Sequence, residues 1–359
     1  VSEIELALRC APDLRYIAIT GTNGKTTTTA LIGHIFRALG LRAPDAGNIG
    51  TPLSAVVSES PAPDWVSLEL SSFQLHDTPS IAPDVGVLTN LSADHLDRYT
   101  SVDEYFGDKA LLFRNATPQS RWVLNADDAA SLRIAGDVAG DHLLFSLLKE
   151  CDAWYDRAAD SLVVLGSRLM HRPDFRLLGD HNVANALAAS LAVMSAAEEF
   201  RTPAARSAIT GALGTFRALP NRLEIVGEWR GVEWINDSKA TNVASTLVAV
   251  QGMTRPTVLL LGGRHKGEPY TALASSIGDH VKHVIAFGEA GPIVERDLAG
   301  VAQLTRVDGS FEEVMDSARL HAVTGDAVLL SPACSSYDMF NNYVERGQRF
   351  RELAEGSDG

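Results

Sequence analysis

One glycine-bracketed turn limits what this chain can fold into more than any other stretch. Residues 16–20, Tyr-Ile-Ala-Ile-Thr, are a short apolar run with β-branched side chains that stops at Gly21, the pattern of a buried strand. From Thr26 to Leu39 apolar residues such as Ala30, Leu31, Ile35 and Ala38 recur at helical spacing, and Gly40 follows as a C-terminal cap. Between the two lies Gly21-Thr22-Asn23-Gly24-Lys25-Thr26-Thr27. Strand, glycine loop and helix open a parallel α/β unit. Such a loop suits phosphate, because glycines let backbone N–H groups turn inward and a helix N-terminus favours anions. Lys25 would neutralise phosphate oxygens and the Thr26 hydroxyl would reach Mg²⁺. The general phosphate-loop pattern asks for a glycine where Ile19 stands, so only the shorter form is present. The bland alternative is a tight strand-to-helix turn.

Further strands are expected at residues 65–70, 85–89 and 122–125. Residues 142–178 break into short strand-like pieces and predict a small antiparallel insertion. Residues 182–200 are alanine-rich and predict a helix. A boundary is expected near 215–219, followed by Pro220 and a hairpin of 222–228 with 232–236 turning at Arg230-Gly231. Strand-like runs at 257–261, 283–287 and 327–331 then alternate with helical stretches. The fold class predicted is α/β: a central P-loop-type, mostly parallel sheet domain over 1–217 and a C-terminal Rossmann-like α/β domain over 218–359. A length of 359 residues suits two such domains. The net charge of −14 argues against nucleic-acid or anionic-membrane partners. Cys10, Cys151 and Cys334 show no CxxC spacing, which fits reduced thiols in a cytoplasm rather than a disulfide framework or a zinc site. No uncharged apolar run approaches the ~18 residues of a membrane span.

Several polar residues stand where chemistry is expected. Glu69 ends the 65–70 strand, at the edge where open α/β sheets place ligands. Asp94-His95-Leu96-Asp97 follows the 85–89 strand, and Lys109 lies in the helical pattern 101–113. Asn182 and Asn185, three apart, share one helix face, although Asn182 also reads as a helix cap. Asp237 ends a strand as a ribose-hydroxyl acceptor, with Lys239 and Thr241 on the same loop. Lys266 and Ser336 sit in loops after strands. Cys334 has no base nearby in sequence and reads as structural. The ordinary alternatives are solvated surface acids, lysines and histidines.

The loop form G-T-N-G-K-T-T resembles the Mur ligase superfamily, and the resemblance continues in order along nearly the whole chain. It includes Asn48-Ile49-Gly50, Glu69-Leu70-Ser71-Ser72-Phe73-Gln74-Leu75, Asp94-His95-Leu96-Asp97-Arg98, His181-Asn182-Val183-Ala184-Asn185, Asn236-Asp237-Ser238-Lys239-Ala240-Thr241-Asn242 and Ser331-Pro332-Ala333-Cys334-Ser335-Ser336. Within the superfamily these segments are most similar to the MurD-like branch.

The resemblance implies an ATP-dependent ligase that joins glutamate, D-glutamate by default with L-glutamate open, to UDP-N-acetylmuramoyl-L-alanine in peptidoglycan synthesis, by way of an acyl phosphate. It implies nucleotide contacts from Gly21, Thr22, Asn23, Gly24, Lys25, Thr26, Thr27, Asn182, Asn185, Arg222 and Asp237. It implies Mg²⁺ on Thr26, Glu69, His95 and a carbamylated Lys109, with Lys25, His95, Lys109 and Lys239 catalytic. Substrate contacts are implied for Asn48, Ser71, Thr241, Lys266, Ser336 and Tyr343. Two positions depart from the branch: Asn221 stands where histidine is usual, and Tyr343 where phenylalanine is common. The branch also carries an N-terminal UDP-binding domain, and this chain, starting at Val1, is expected to be a fragment that lacks it. A monomer in the cytoplasm, working on small molecules, is expected. A related ligase of the folylpolyglutamate synthase kind and a non-catalytic nucleotide-binding fragment are the alternatives.

Overall fold

The computed structural model describes residues 1–92 and 99–355. The chain divides into two compact units, Val1–Arg176 with Asp180–Phe216, and Leu177–Gly179 with Arg217–Gly359.

Among the described residues the first unit is built on a nine-stranded sheet. Its strands are β1 (Tyr16–Thr20), β2 (Asp45–Gly47), β3 (Val66–Glu69), β4 (Val85–Leu88), β5 (Arg121–Asn125), β6 (Asp141–Ser146), β7 (Ala153–Asp156), β8 (Ser161–Val164) and β9 (Ser167–His171). They lie in the order β2-β3-β1-β4-β5-β6-β7-β8-β9. Pairing is parallel from β2 through β7 and antiparallel for β7–β8 and β8–β9. All five residues of β1 are buried, as a strand covered on both faces requires. The helix Lys25–Ala38 packs beside the helix Asp180–Ala196, whose small alanines allow close approach. The antiparallel strands expected within 142–178 are β7, β8 and β9. They extend the far edge of the main sheet, because strands this short cannot bury a face alone.

The second unit carries β10 (Glu224–Trp229), β11 (Val232–Asn236), β12 (Thr257–Gly262), β13 (Val281–Phe287), β14 (Gln303–Val307) and β15 (Ala327–Leu330) in the order β10-β11-β15-β12-β13-β14. The β10–β11 hairpin turns at Arg230 and Gly231, whose φ values of 54° and 74° match the tight turn that suits strand twist. The other pairs are parallel. Leu259 and Leu261 of β12 face one core with Val250, Ile277 and Val294. Val258 and Leu260 face the other with Val314, Met315 and Phe350. Period-two alternation thus splits one apolar strand between two helical layers.

On the helix Tyr343–Glu355, Phe350 and Ala354 enter the second of these cores, and Arg346, one turn earlier, is carried inward with them. It is fully buried. Its guanidinium donates to Ser238 Oγ (2.9 Å), Ser238 O (2.8 Å), Cys334 O (3.1 Å) and Ser335 O (3.4 Å), so one side chain ties two loops to a helix. Burial pulls its pKa down to about 10, which leaves it charged at neutral pH. Arg346→Met keeps most of the volume and strands those oxygens. It is expected to lower the stability of this unit by roughly 3 kcal/mol, read as a shift in the urea midpoint; an unmoved midpoint would refute the clasp.

Candidate active site

The loop after β1 sits at the C-terminal edge of the first sheet. Gly21, at φ 141°, passes so close to Thr89 that a Cβ there would lie 2.0 Å from Thr89 Oγ1. Gly24, at φ 83°, caps the helix Lys25–Ala38, and a Cβ there would lie 2.4 Å from Asn185 Oδ1. Both glycines are therefore fixed by contact as well as by conformation. No side chain caps this helix, and a helix N-terminus favours an anion. Lys25 Nζ curls back onto Gly21 O (2.9 Å) and Thr22 O (2.7 Å). Thr26 is half-buried and Thr27 buried on the first helical turn.

Parallel register brings further groups to the same edge. Glu69 pairs with Ile19, and Leu88 with Thr20. Glu69 is 1% exposed. Its Oε1 accepts from Asn48 Nδ2 at 2.8 Å, while its Oε2 is buried with no hydrogen-bond partner among the described residues. Lys109, 2% exposed on the helix Val102–Ala110, donates from Nζ to Thr20 Oγ1 at 3.0 Å, and that hydroxyl donates to Leu70 O at 2.8 Å. The lysine amine is thus carried to the ends of β1 and β3. His95 lies outside the described residues. Asn182 and Asn185 are buried beneath the loop: Asn185 Nδ2 donates to Asn182 Oδ1 (3.1 Å), and Asn185 Oδ1 accepts from Thr28 Oγ1 (3.3 Å). Ser71 forms a reciprocal capping box with Gln74 at the start of Ser72–His76, so the structure gives it a local task as well.

In the second unit, Asp237 is buried, accepting from Leu223 N (3.2 Å) and Ser331 Oγ (2.8 Å). Burial pushes its pKa up to about 7. Asn221 takes a left-handed turn at φ 63°, and its Oδ1 accepts from Asn236 Nδ2 at 3.0 Å. Arg222 follows directly, with its N–H donating to Leu219 O. Lys239 Nζ donates to Tyr343 OH at 3.2 Å and lies 5.0 Å from the ring centroid. Ser336 is buried, Thr241 half-buried and Lys266 exposed. The Lys266 loop is stitched to the Ser336 segment by Arg264 N donating to Ser335 O (2.8 Å) and by the contact of Tyr270 OH with Cys334 Sγ (2.9 Å). Burial raises the Cys334 thiol to about 11, consistent with a structural role. Sequence reasoning missed Thr20, Thr89, Asn90 and Arg346. For Arg346 the signal was present as an arginine in the i, i+4, i+8 register of Phe350 and Ala354.

Comparison with known proteins agrees with this arrangement. Residues 19–193 match the Mur ligase middle domain, and residues 221–334 match the Mur ligase, glutamate ligase domain. The chain is 39% identical over 362 residues to the UDP-N-acetylmuramoylalanine--D-glutamate ligase of Syntrophotalea carbinolica, covering 99% of this chain and 78% of the relative. The chain belongs to the Mur ligase family. The ligase of the same name from Salinibacter ruber is 40% identical over 368 residues, covering 99% of this chain and 78% of the relative. Among solved structures, MurF from Acinetobacter baumannii superposes with a TM-score of 0.72 at 19% identity, covering 97% of this chain and 78% of that one. The UDP-N-acetylmuramate-alanine ligase MurC of Thermotoga maritima gives 0.70 at 19% identity, over 99% and 78%; both likenesses bear on the fold alone. Membership makes this chain an ATP-dependent, amide-forming ligase of peptidoglycan synthesis. Mur ligases use Mg²⁺. The residues present fit that ion, because an unpartnered carboxylate oxygen and a helix-start hydroxyl are hard donors. Among the described residues, which leave out His95, no group of three or more His, Cys, Asp or Glu converges.

Asp237 also sets a pH dependence. A carboxyl held above its unfolded value of 3.8 binds its proton more tightly when folded, so the unit loses stability as pH rises from that value towards about 7. Asp237→Asn is expected to flatten this decline when urea unfolding is compared at about pH 5 and about pH 8; an equal slope in both proteins would contradict it.

Proposed function

We propose that the chain joins glutamate, D-glutamate by default, to UDP-N-acetylmuramoyl-L-alanine. The observation that carries this reading is the buried, unpartnered Glu69 Oε2 at the strand edge beside the phosphate-type loop, in a chain whose similar curated relatives bear the D-glutamate ligase name. Residues 1–217 serve as the ATP-binding part and residues 218–359 as the glutamate-binding part. Gly21 to Thr27, with Asn182 and Asn185, hold the nucleotide; Arg222 and Asp237 serve it from the second unit. Mg²⁺ would be held by Thr26, Glu69, His95 and a carbamylated Lys109, and when bound it neutralises phosphate charge.

The alanine carboxylate attacks the γ-phosphorus of ATP; its oxygen gains the P–O bond and ADP leaves. Lys25 draws charge from the transferring group. The glutamate amine then adds to the acyl-phosphate carbonyl, inorganic phosphate departs with the C–O bonding electrons, and the amine gives up a proton. Activation is needed because a free carboxylate is a poor electrophile. Asn48 orients Glu69, and Ser71 holds the neighbouring helix start. Lys239, set by Tyr343, is catalytic in this reading. Thr241, Lys266 and Ser336 receive the glutamate carboxylates. A monomer in the cytoplasm is part of the proposal. Its three cysteines stand unpaired, which suits a reducing compartment, and no described helix is long and apolar enough to cross a membrane.

The test is ADP release with MgATP, UDP-N-acetylmuramoyl-L-alanine and one amino acid at a time. D-glutamate is expected to support the fastest release. Faster release with L-glutamate reverses the stereochemical assignment, and faster release with alanine or diaminopimelate overturns the glutamate reading. Lys109→Ala is expected to lose at least about a hundredfold in rate, with partial return on adding a short carboxylic acid in place of the carbamate. Full activity without the acid would remove Lys109 from the site.

A further inference from the structure

The loop of the first unit is held from outside by a segment that no motif singles out. Asn90, two residues beyond β4, places its carboxamide against the backbone N–H and C=O of a single loop residue. Its Oδ1 accepts from Asn23 N at 2.9 Å, and its Nδ2 donates to Asn23 O at 3.0 Å. Its backbone carbonyl accepts from Thr22 N at 2.8 Å. Thr89 Oγ1 adds a bond to Asn23 O at 2.6 Å. Thr22 Oγ1 accepts from Ser92 N at 3.0 Å and lies 3.1 Å from Ser92 O. Thr22 and Asn23 are thereby fixed on both their N–H and side-chain or carbonyl sides, by residues 66 to 70 positions away in sequence.

We propose that Asn90 is a positioning residue for the nucleotide: it latches the Asn23 peptide and so decides which N–H groups of the loop meet the anion. A phosphate loop works by aiming N–H groups, and here those of Thr22 and Asn23 are already spent on Asn90. The Asn23 carbonyl, whose oxygen would repel phosphate, is turned away and held by two donors. Asparagine suits the task because it donates and accepts in one plane, matching a peptide edge. Aspartate keeps the acceptor, loses the donor and adds a negative charge beside the phosphates. The latch rests on the reading of Gly21–Thr27 as the ATP site, and it leaves Asn90 itself without any contact to the reacting atoms.

The experiment uses the whole chain and two readouts. Hydrogen exchange is followed at the amides of residues 20–24 without nucleotide, and MgATP binding is followed by calorimetry. Asn90→Ala is expected to speed exchange at Thr22 and Asn23 and to weaken MgATP binding about tenfold, with the thermal midpoint held. Asn90→Asp is expected to bind more weakly than Asn90→Ala. In turnover, the KM for ATP rises while the KM for the amino acid stays. Where Asn90→Ala does not fold, Thr89→Val, which removes one of the two donors to Asn23 O, is expected to show the same pattern at smaller size. Faster exchange with unchanged MgATP affinity would overturn the positioning role and leave the ATP reading intact. Unchanged exchange would overturn the latch itself. An unaltered chain that does not bind MgATP would instead overturn the ATP reading, and the positioning role with it.

Discussion

The parallel register of β1, β3 and β4 is the constraint on which the rest of the first unit depends. It brings Thr20, Glu69 and Leu88 to one edge, and every polar group assembled there is defined by it. Thr20 ends β1 and receives Lys109; Glu69 ends β3 and receives Asn48; Thr89 follows β4 and touches Gly21. A slip of one residue between any two of these strands would turn a polar end into the core and an apolar side chain out. The fully buried strand interiors forbid that slip, so hydrophobic burial sets the geometry of a polar site.

The second unit reaches a comparable order by different means. Its loops follow parallel strands, yet two of them are short of regular structure and need outside support. Arg346 supplies it for the 238 and 334–335 segments, and Asn221 for the start of the Asn236 loop. Tyr343 differs from the residue common in related enzymes by one hydroxyl, and that hydroxyl accepts a bond from Lys239. The lysine head is therefore placed by a hydrogen bond as well as by the face of the ring, which narrows its orientation more than the ring alone.

How much of this was legible in the sequence follows from how local each feature is. The strand–glycine loop–helix opening and the hairpin at Arg230-Gly231 were legible because neighbours in sequence decide them. The antiparallel pieces within 142–178 were legible as short strands, but the sheet edge they join was not, because a distant part of the chain supplies it. Candidate residues with a charge or a glycine were found by type. Asn48 and Ser71 were found by position, but their partners, Glu69 and Gln74, came only with the structure. Asn90 escaped because its task exists only across a long separation in sequence, 67 residues to Asn23, and such a residue leaves no periodic trace. Arg346 did leave one, in the register of Phe350 and Ala354, but its partners Ser238, Cys334 and Ser335 came only with the structure.

Glu69 shows most clearly why such features point to chemistry rather than to stability. An unpaired oxygen in the interior costs on the order of 1–3 kcal/mol, and more for a charged group. Within the first unit the other buried side-chain atoms without partners, on Thr29, Ser190 and Ser195, are hydroxyls on helices. Glu69 alone among them is ionisable, and it stands at a strand end rather than in a core. Asn48 saturates one carboxylate oxygen and leaves the other open, which fixes the plane of the group while keeping a ligand position. Asp237, by contrast, has its two oxygens engaged by Leu223 N and Ser331 Oγ. Of these two buried acids one is closed by the protein and the other is left half-open at a strand end.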